Sequence, residues 1–379
     1  GKAAAKPHMA SGMHQRLSCQ MVTEEKDIML FVCGDVMLGR GIDQILPHPG
    51  DPTLYEHYVG SALDYVGLAE RAHGPIASPC AFEYVWGDAL ADLDAAEVNA
   101  RIVNLETSVT ASIEPEPKGI NYKMNPANVG CIKAAKVDCC VLANNHVLDW
   151  GVEGLLETLS TLEREGIFLA GAGIDAHQAS TPASIRLPND RRVLVFGFGA
   201  TTSGIPHDWA ATESAPGISL LPDLSAAAAG QIAHRILLLR RPGDLVVVSI
   251  HWGSNWGYQI DIGQREFAHA LIDAGACDLL HGHSSHHARA LEVYKDRLIL
   301  YGCGDFITDY EGIEGYEQFR GDLALAYLPR FRPDGALSEL VLKPYQMYKF
   351  RLQRAGDADT AWLRSTLHRE SARFNTRVI

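Results

Sequence analysis

The sequence predicts an α/β fold built on mostly parallel sheets. Two observations support this prediction: short Val-, Ile- and Leu-rich runs alternate with helical patterns, and five of the runs end in residues that could hold a metal ion. Buried strands of α/β sheets have such apolar runs, and their alternation with helices is typical of βαβ units. Because open α/β sheets bind ligands beyond the carboxyl ends of their strands, the five polar ends should converge.

The five runs are each followed by oxygen or nitrogen donors. They are 28–33 before Gly34-Asp35, 101–103 before Asn104-Leu105-Glu106, 139–143 before Asn144-Asn145-His146, 245–250 before His251-Trp252-Gly253, and 278–280 before the histidine-rich segment 281–287. The donors are carboxylates, amides and imidazoles, without a thiolate. This combination predicts a hard or borderline divalent cation such as Ca, Mn, Mg, Fe or Zn.

Two segments have clear helical periodicity. Apolar residues recur at helical spacing over 152–165, before Gly166, and again over 264–274, before Gly275. Segments 51–86, 113–128 and 201–224 have little periodicity and are predicted to form loops around the site. The chain beyond residue 309 is expected to close one edge of the molecule.

Bulk composition indicates a soluble enzyme. The chain has 379 residues, 47% of them hydrophobic, and a formal net charge of −13, which would repel nucleic acid and anionic membranes. No apolar stretch reaches the roughly 18–20 residues needed to span a bilayer. The eight cysteines include no Cys-x-x-Cys pair and are interpreted as small buried hydrophobes, which predicts a reducing, cytoplasmic location.

Six motifs follow one another along the chain: Gly34-Asp35, Asn104-Leu105-Glu106, segment 143–151, His251-Trp252-Gly253, Gly282-His283-Ser284-Ser285-His286 and segment 301–306. In this order they resemble the motifs of the CapA family of poly-γ-glutamate capsule proteins, which is similar to the calcineurin-like metallophosphoesterases. The resemblance implies a four-layer α/β/β/α sandwich, with two mixed sheets flanked by helices and a metal centre at the strand ends. It implies a catalytic domain over 28–310. Residues 1–27 are interpreted as a vector-derived or disordered leader, and residues 311–379 as a C-terminal extension that packs on the same domain.

The resemblance also implies metal ligands. Those carried over are Asp35, Glu106, Asn145, His251 and His283. Three features depart from the phosphoesterase pattern: Met37 replaces a histidine, Glu106 replaces a bridging aspartate, and the closing Gly-His-x-His motif is lengthened to 282–286. Because a thioether is a poor ligand for a hard cation, the expected stronger site comprises Asn145, His251, His283 and Glu106, whereas Asp35 with His286 makes the weaker or water-bridged one. Taken alone, each donor could instead be structural.

Acid/base residues are implied at the same strand ends. His146 stands where the phosphoesterase pattern has its proton-transferring histidine, and Asp149 follows one short turn later. A carboxylate bonded to one imidazole nitrogen fixes the tautomer and raises the basicity of the other. Asp305, where the wider family more often has Asn, could form a second pair with His283 or His286. The alternative is that Asp149 caps a helix and Asp305 a turn.

Three functions are compatible with these residues. Epimerisation needs a base and an acid on opposite faces of Cα and a cation that stabilises the enolate, and relatives associated with lasso-peptide biosynthesis are thought to epimerise a peptide Cα. The favoured hypothesis is therefore a metal-dependent epimerase of a ribosomal, lasso-type precursor peptide. The alternatives are a metallophosphoesterase and a poly-γ-glutamate capsule biosynthesis protein; a binding module without catalysis is the remaining possibility.

Overall fold

The computed structural model describes residues 26–379. The helices are α1 (Arg40–Ile45), α2 (Leu63–His73), α3 (Ala89–Ala96), α4 (Gly130–Ala134), α5 (Gly151–Arg164), α6 (Ala176–Ser180), α7 (Ala226–Leu239), α8 (Ile262–Asp273) and α9 (Asp357–Ala372). The strands are β1 (Ile28–Val36), β2 (Ala100–Leu105), β3 (Ser108–Val109), β4 (Lys123–Met124), β5 (Cys139–Val141), β6 (Phe168–Ala170), β7 (Ala172–Gly173), β8 (Ala183–Arg186), β9 (Arg192–Gly199), β10 (Gly217–Ile218), β11 (Leu245–His251), β12 (Leu279–His283), β13 (Leu291–Tyr294), β14 (Arg297–Leu300), β15 (Asp305–Ile307), β16 (Leu323–Phe331), β17 (Leu337–Tyr348) and β18 (Arg351–Arg354).

Two large mixed sheets form the centre of the molecule. The first has the order β18-β17-β16-β1-β2-β5-β6, with β15 also paired to β1. Strands β1, β2, β5, β6 and β15 run parallel, whereas β16 to β18 are antiparallel to their neighbours. The second sheet has the order β13-β14-β12-β11-β9-β8, with antiparallel strands at both edges. In each sheet, the strands that carry the predicted metal ligands are thus parallel, and antiparallel strands lie nearer the edges.

Alternating side chains divide the core into layers. In β1, Phe31 packs with the helices outside the first sheet, whereas Leu30 faces the second sheet. In β11, Val247 faces the first sheet and Val246 packs with α7 and α8. Because successive side chains of a strand point to opposite faces, each central strand is buried on both sides. The fold is therefore the predicted α/β/β/α sandwich, although its sheets are more mixed than the apolar runs alone predict.

The two periodic segments are helices, and one segment predicted to be a loop also contains a helix. The helix predicted over 152–165 is α5, and that over 264–274 is α8, each displaced by one or two residues. Segment 51–86 contains α2, so the loop prediction is wrong there. Only two side chains of this helix, Tyr65 and Ala69, are buried, so its sequence lacks the longer apolar stripe that predicts a helix.

The C-terminal segment joins the first sheet. β16 pairs with β1 inside the sheet, and only β17 and β18 continue to the edge. Helix α9 buries Leu363 and Leu367 in the core between the sheets. The division at residue 310 stays a prediction, and the predicted leader lies outside the described residues except for its last two.

Two further sequence expectations concern the cysteines and the membrane. The seven cysteines within residues 26–379 are buried and free, and several belong to the apolar core. Over the same residues, no helix combines the length and the apolar character that crossing a membrane would require.

Candidate metal centre

The ends of strands from both sheets converge on one buried site. Asp35 lies near the end of β1, and Glu106 follows β2 directly. His251 and His283 are the last residues of β11 and β12 in the other sheet, where they lie opposite each other. Asp305, the first residue of β15, is in register with Asp35. All five side chains are almost fully buried.

Two imidazoles and a carboxylate form the first cluster. Ligand atoms of Asp35, His251 and His283 all lie within 4.8 Å of one another. The Nδ1 atoms of the two histidines are 2.8 Å apart, and each lies 3.9 Å from Asp35 Oδ1. Burial lowers the pKa of both histidines well below its ordinary value, with further lowering by neighbouring histidines, so both rings are neutral. Neutral imidazoles are the form that binds metal ions.

Three carboxyl groups form the second cluster. Oxygens of Asp35, Glu106 and Asp305 also lie within 4.8 Å of one another. Burial and, to a smaller extent, the Asp305 charge raise the pKa of Asp35 to about 7, although hydrogen bonds with Glu106 and Asn104 oppose this rise. Burial, followed by the charge of Asp35, raises the pKa of Glu106 well above its ordinary value. Asp35 and Glu106 therefore tend to retain protons unless a cation compensates their charge.

The donors present fit a divalent cation. Asp35 Oδ2 is buried and has no hydrogen-bond partner among residues 26–379, whereas Asp35 Oδ1 accepts a hydrogen bond from Asn104 Nδ2 at 2.8 Å. A buried carboxylate oxygen without a partner is costly. Asp35 belongs to both clusters. A cation bound beside it would interact with the unpartnered oxygen and could take further ligands from both clusters.

Two glycines allow the acidic residues to lie side by side. The Asp35 amide donates to Gly304 O at 2.9 Å. A Cβ atom on Gly34 would lie 1.8 Å from that same oxygen, so no larger residue fits without displacing the backbone. Gly304 itself has φ of +78°, a conformation that glycine adopts readily. This close approach brings β1 against the start of β15.

His146 and Asp149 form a buried hydrogen-bonded pair. His146 Nδ1 lies 2.6 Å from Asp149 Oδ2, and its Nε2 points toward the carboxyl cluster, 3.7 Å from Glu106 Oε1. The same aspartate accepts hydrogen bonds from Lys118 Nζ at 2.6 Å and from the Tyr122 amide at 2.7 Å. Burial lowers the pKa of His146 to about 4; Asp149 opposes this shift and the Lys118 charge adds to it.

His286 and Asp305 form a second pair. His286 Nδ1 lies 3.1 Å from both oxygens of Asp305, and its Nε2 has no hydrogen-bond partner within the described part of the chain. Burial by itself lowers the pKa of His286, but the charge and hydrogen bond of Asp305 outweigh this and raise it above the ordinary value. Ser284, at φ of +104°, turns the chain between His283 and this residue.

The structure brings all nine predicted site residues together but groups them differently. Asp35, which was expected to make the weaker or water-bridged site with His286, contributes an oxygen to both clusters. His286 pairs with Asp305, one of the two partners considered for that aspartate. Asn145 Oδ1 contacts His251 Nε2 at 3.0 Å. Metal binding and catalysis by these residues remain predictions.

Several contacting residues were not predicted. Lys118 comes from a segment without periodic signal, so nothing in the local sequence indicates that it reaches Asp149. Asn144 Nδ2 donates to Asn104 Oδ1 at 3.2 Å and to Leu105 O at 2.8 Å; both asparagines stood beside predicted donors. Ser249 and His281 precede His251 and His283 by two positions, and this spacing places them on the same strand faces.

Residues 29–310 match the family described as bacterial capsule synthesis protein PGA_cap. This chain belongs to that family. Membership in the PGA_cap family confirms the CapA resemblance of the motifs. The match spans every predicted site residue, from Asp35 to Asp305.

Two relatives of this chain carry names that refer to polymer synthesis. A probable polyglutamine synthesis accessory protein of Mycobacterium tuberculosis is 46% identical over 355 residues, which cover 93% of each chain. The PGA biosynthesis protein CapA of Bacillus subtilis is 26% identical over 302 residues, covering 78% of this chain and 66% of that one. Among solved structures, a 5'-nucleotidase precursor from Thermus thermophilus is similar at 13% identity and a TM-score of 0.45, covering 89% of this chain and 58% of the other.

Proposed function

We propose that this PGA_cap protein is a metal-dependent acid/base enzyme that epimerises a Cα centre in a peptide, as in a ribosomal, lasso-type precursor. One observation carries the proposal: two His/Asp pairs flank one cluster of buried carboxyl groups. In each pair the aspartate contacts Nδ1, which leaves Nε2 for the substrate. His146 adjoins the cluster at Glu106, and His286 adjoins it at Asp305.

The two imidazoles favour opposite protonation states. His146, with a pKa lowered to about 4, is neutral at pH 7 and has the form of a base. His286, with a raised pKa, holds its proton to higher pH and has the form of an acid. Groups whose pKa values are pushed apart within one site commonly divide the acid and base roles. Inversion at carbon requires such a division.

The proposed reaction moves two protons. His146 Nε2 takes the Cα proton, and the C–H electron pair shifts toward the adjacent carbonyl oxygen. His286 Nε2 returns a proton to the opposite face of Cα, which inverts the centre. Asp149 compensates the positive charge that His146 acquires. A divalent cation held by Asp35, His251 and His283 with the neighbouring carboxylates would supply positive charge opposite that carbonyl oxygen.

Deuterium incorporation tests the proposal directly. A precursor peptide encoded beside the gene is incubated in heavy water with the enzyme and Mn²⁺, then analysed by mass spectrometry and chiral chromatography. Each inversion should add one deuterium at Cα, because the returned proton exchanges with solvent. His146→Ala should lower both inversion and deuterium uptake by about 10²- to 10⁴-fold, whereas His286→Ala should abolish inversion while His146 still permits exchange at Cα. His269→Ala is the matched control, since His269 pairs with Glu292 at 3.0 Å outside the site. Inversion without deuterium uptake would exclude this mechanism.

Phosphoester hydrolysis is the second candidate. It is favoured by the position of Asp35, which the histidine cluster and the carboxyl cluster share. Two adjacent cation sites that share a carboxylate suit the binding of a phosphate group. His146 Nε2 could then protonate the leaving oxygen. Rapid turnover of a generic phosphodiester with Mn²⁺, together with no deuterium uptake by any neighbour-encoded peptide, would favour this alternative.

A role in glutamate-polymer synthesis is the third candidate. It is supported by the name of the B. subtilis relative, a PGA biosynthesis protein. The M. tuberculosis relative is named a probable polyglutamine synthesis accessory protein. The formal charge of −13 opposes it, because a polyanionic polymer would be repelled over long range. Chain-length analysis of poly-γ-glutamate after incubation with the metal-loaded protein tests it. The peptide substrate and the cytoplasmic location belong to the first proposal.

A further inference from the structure

We propose that Ser249 and His281 are positioning residues that fix the ring tautomer of His283 and so decide which of its nitrogens binds the metal. Neither belongs to the predicted ligand set, and both are fully buried. Strands β11 and β12 pair with Ser249 opposite His281 and His251 opposite His283. Because residues two apart on a strand share a face, the four side chains form one block at the end of the second sheet.

The chain of hydrogen bonds begins at a backbone carbonyl of the other sheet. His281 Nε2 lies 2.6 Å from Cys33 O. A carbonyl oxygen only accepts, so this nitrogen carries a hydrogen. In a neutral ring the other nitrogen is then an acceptor, and His281 Nδ1 lies 2.9 Å from Ser249 Oγ. The serine hydroxyl therefore donates to His281. We call Cys33 O, His281 and Ser249 the tautomer relay.

The relay leaves one possibility for His283. Ser249 has a single hydroxyl hydrogen, which His281 uses, so its oxygen accepts from His283 Nε2 at 2.9 Å. A neutral imidazole carries one ring hydrogen. His283 Nδ1 consequently keeps its lone pair, which faces His251 Nδ1 at 2.8 Å and Asp35 Oδ1 at 3.9 Å.

The tautomer of His251, whose ring faces His283, is fixed in the same way. His251 Nε2 lies 3.0 Å from Asn145 Oδ1 and donates to it, so His251 Nδ1 also keeps its lone pair. Two lone pairs at 2.8 Å repel each other unless a cation lies close to both. The relay thus turns a pair of histidines that could bond to each other into a site that requires a cation. Partners beyond the ligands commonly orient metal-bound histidines in this way.

Removing the serine hydroxyl tests the relay. We expect chelator-treated Ser249→Ala to bind Mn²⁺ about 10- to 100-fold more weakly than wild type, as measured by titration of free Mn²⁺. Its imidazole ¹⁵N spectrum should show His283 in mixed tautomers, whereas wild type shows hydrogen on Nε2 only. Ser249→Thr, which keeps the hydroxyl, should restore both properties.

Ser203→Ala is the matched control. The Ser203 hydroxyl is also buried beside the site, but it donates only to backbone oxygens, Ala200 O at 2.7 Å and His251 O at 3.1 Å. Its loss should leave the His283 spectrum and Mn²⁺ affinity unchanged. Hydrogen on Nδ1 of His283 in metal-free wild type, or full Mn²⁺ affinity in folded Ser249→Ala, would overturn the inference. It rests on the metal centre of the proposed function and needs no substrate, so failure of the epimerase proposal would be seen separately.

Discussion

His286 Nδ1 is equidistant, at 3.1 Å, from the two carboxylate oxygens of Asp305. The same carboxylate also belongs to the oxygen cluster with Asp35 and Glu106. One side chain therefore contacts the imidazole and faces the cation position. The charge that Asp305 presents to His286 will decrease when a cation binds, so metal and proton binding are coupled through this residue.

The first prediction concerns metal content. His251→Ala and His283→Ala should each lose most of the bound metal, because removal of an imidazole ligand leaves a coordination position empty. Elemental analysis of the purified variants measures this, with His269→Ala as a control for loss of a histidine elsewhere. Wild-type stoichiometry in folded variants would remove the altered histidine from the ligand set.

The second prediction separates proton transfer from metal binding. His146→Ala should keep its fold and metal, while turnover falls by about 10²- to 10⁴-fold, as expected for loss of a general base. Circular dichroism, elemental analysis and the deuterium assay provide the three measurements. Loss of metal together with activity would instead make His146 a ligand.

Asp149 is predicted to act through His146. Asp149→Asn should reduce turnover at least roughly tenfold, because an amide at this position favours the wrong tautomer of the ring. The amide would also lose the ion pair with Lys118, whose Nζ lies 2.6 Å from the carboxylate. Lys118→Met serves as the comparison, since it removes that ion pair and keeps the hydrogen bond between Asp149 and His146, although it also removes the Lys118 contact with His146 Nδ1 at 3.4 Å. Equal effects of the two substitutions would assign the loss to the ion pair.

A bell-shaped pH profile is predicted for epimerisation. Activity should rise as His146 loses its proton near pH 4 and fall as the pH increases through the raised pKa of His286, because the acid is then deprotonated. Asp305→Asn removes the main cause of that raised pKa, so the falling limb should move to lower pH. Measurements of kcat/KM at saturating Mn²⁺ test this; an unmoved limb would exclude His286 as the acid.

Metal should stabilise the fold more at pH 8 than at pH 5. Asp35 in the folded, metal-free protein has a pKa of about 7, against 3.8 ordinarily, so between these values the folded state binds more protons than the unfolded chain. Its free energy of unfolding therefore falls as pH rises through this window, and a cation replaces the missing proton. At about 100 times Kd, Mn²⁺ contributes roughly 2.7 kcal/mol, which thermal unfolding detects. Asp35→Asn should reduce the pH difference, and Glu106, whose pKa is also raised, should account for the remainder. Equal stabilisation of wild type at both pH values would contradict the prediction.

The sequence predicts the strand ends better than it predicts the grouping of their side chains. Donors after apolar runs were recognisable because strand and ligand positions are both local signals. The central position of Asp35 was not, since the pairing of β1 shifts register between Val32 and Asp35 and again at Val36. Such irregularities redirect a side chain without a distinctive residue pattern. Lys118 was missed for a related reason, because only tertiary contacts bring its loop to Asp149.

The proposed metal ligands belong to two different sheets. Asp35 comes from the first sheet and His251 and His283 from the second, while His281 Nε2 reaches across to Cys33 O. A bound ion would therefore cross-link the two sheets at one end of the sandwich. Without the ion, the two sheets should separate locally at this end more often. Faster amide hydrogen exchange in the facing strands β1 and β12 of the metal-free protein would show this.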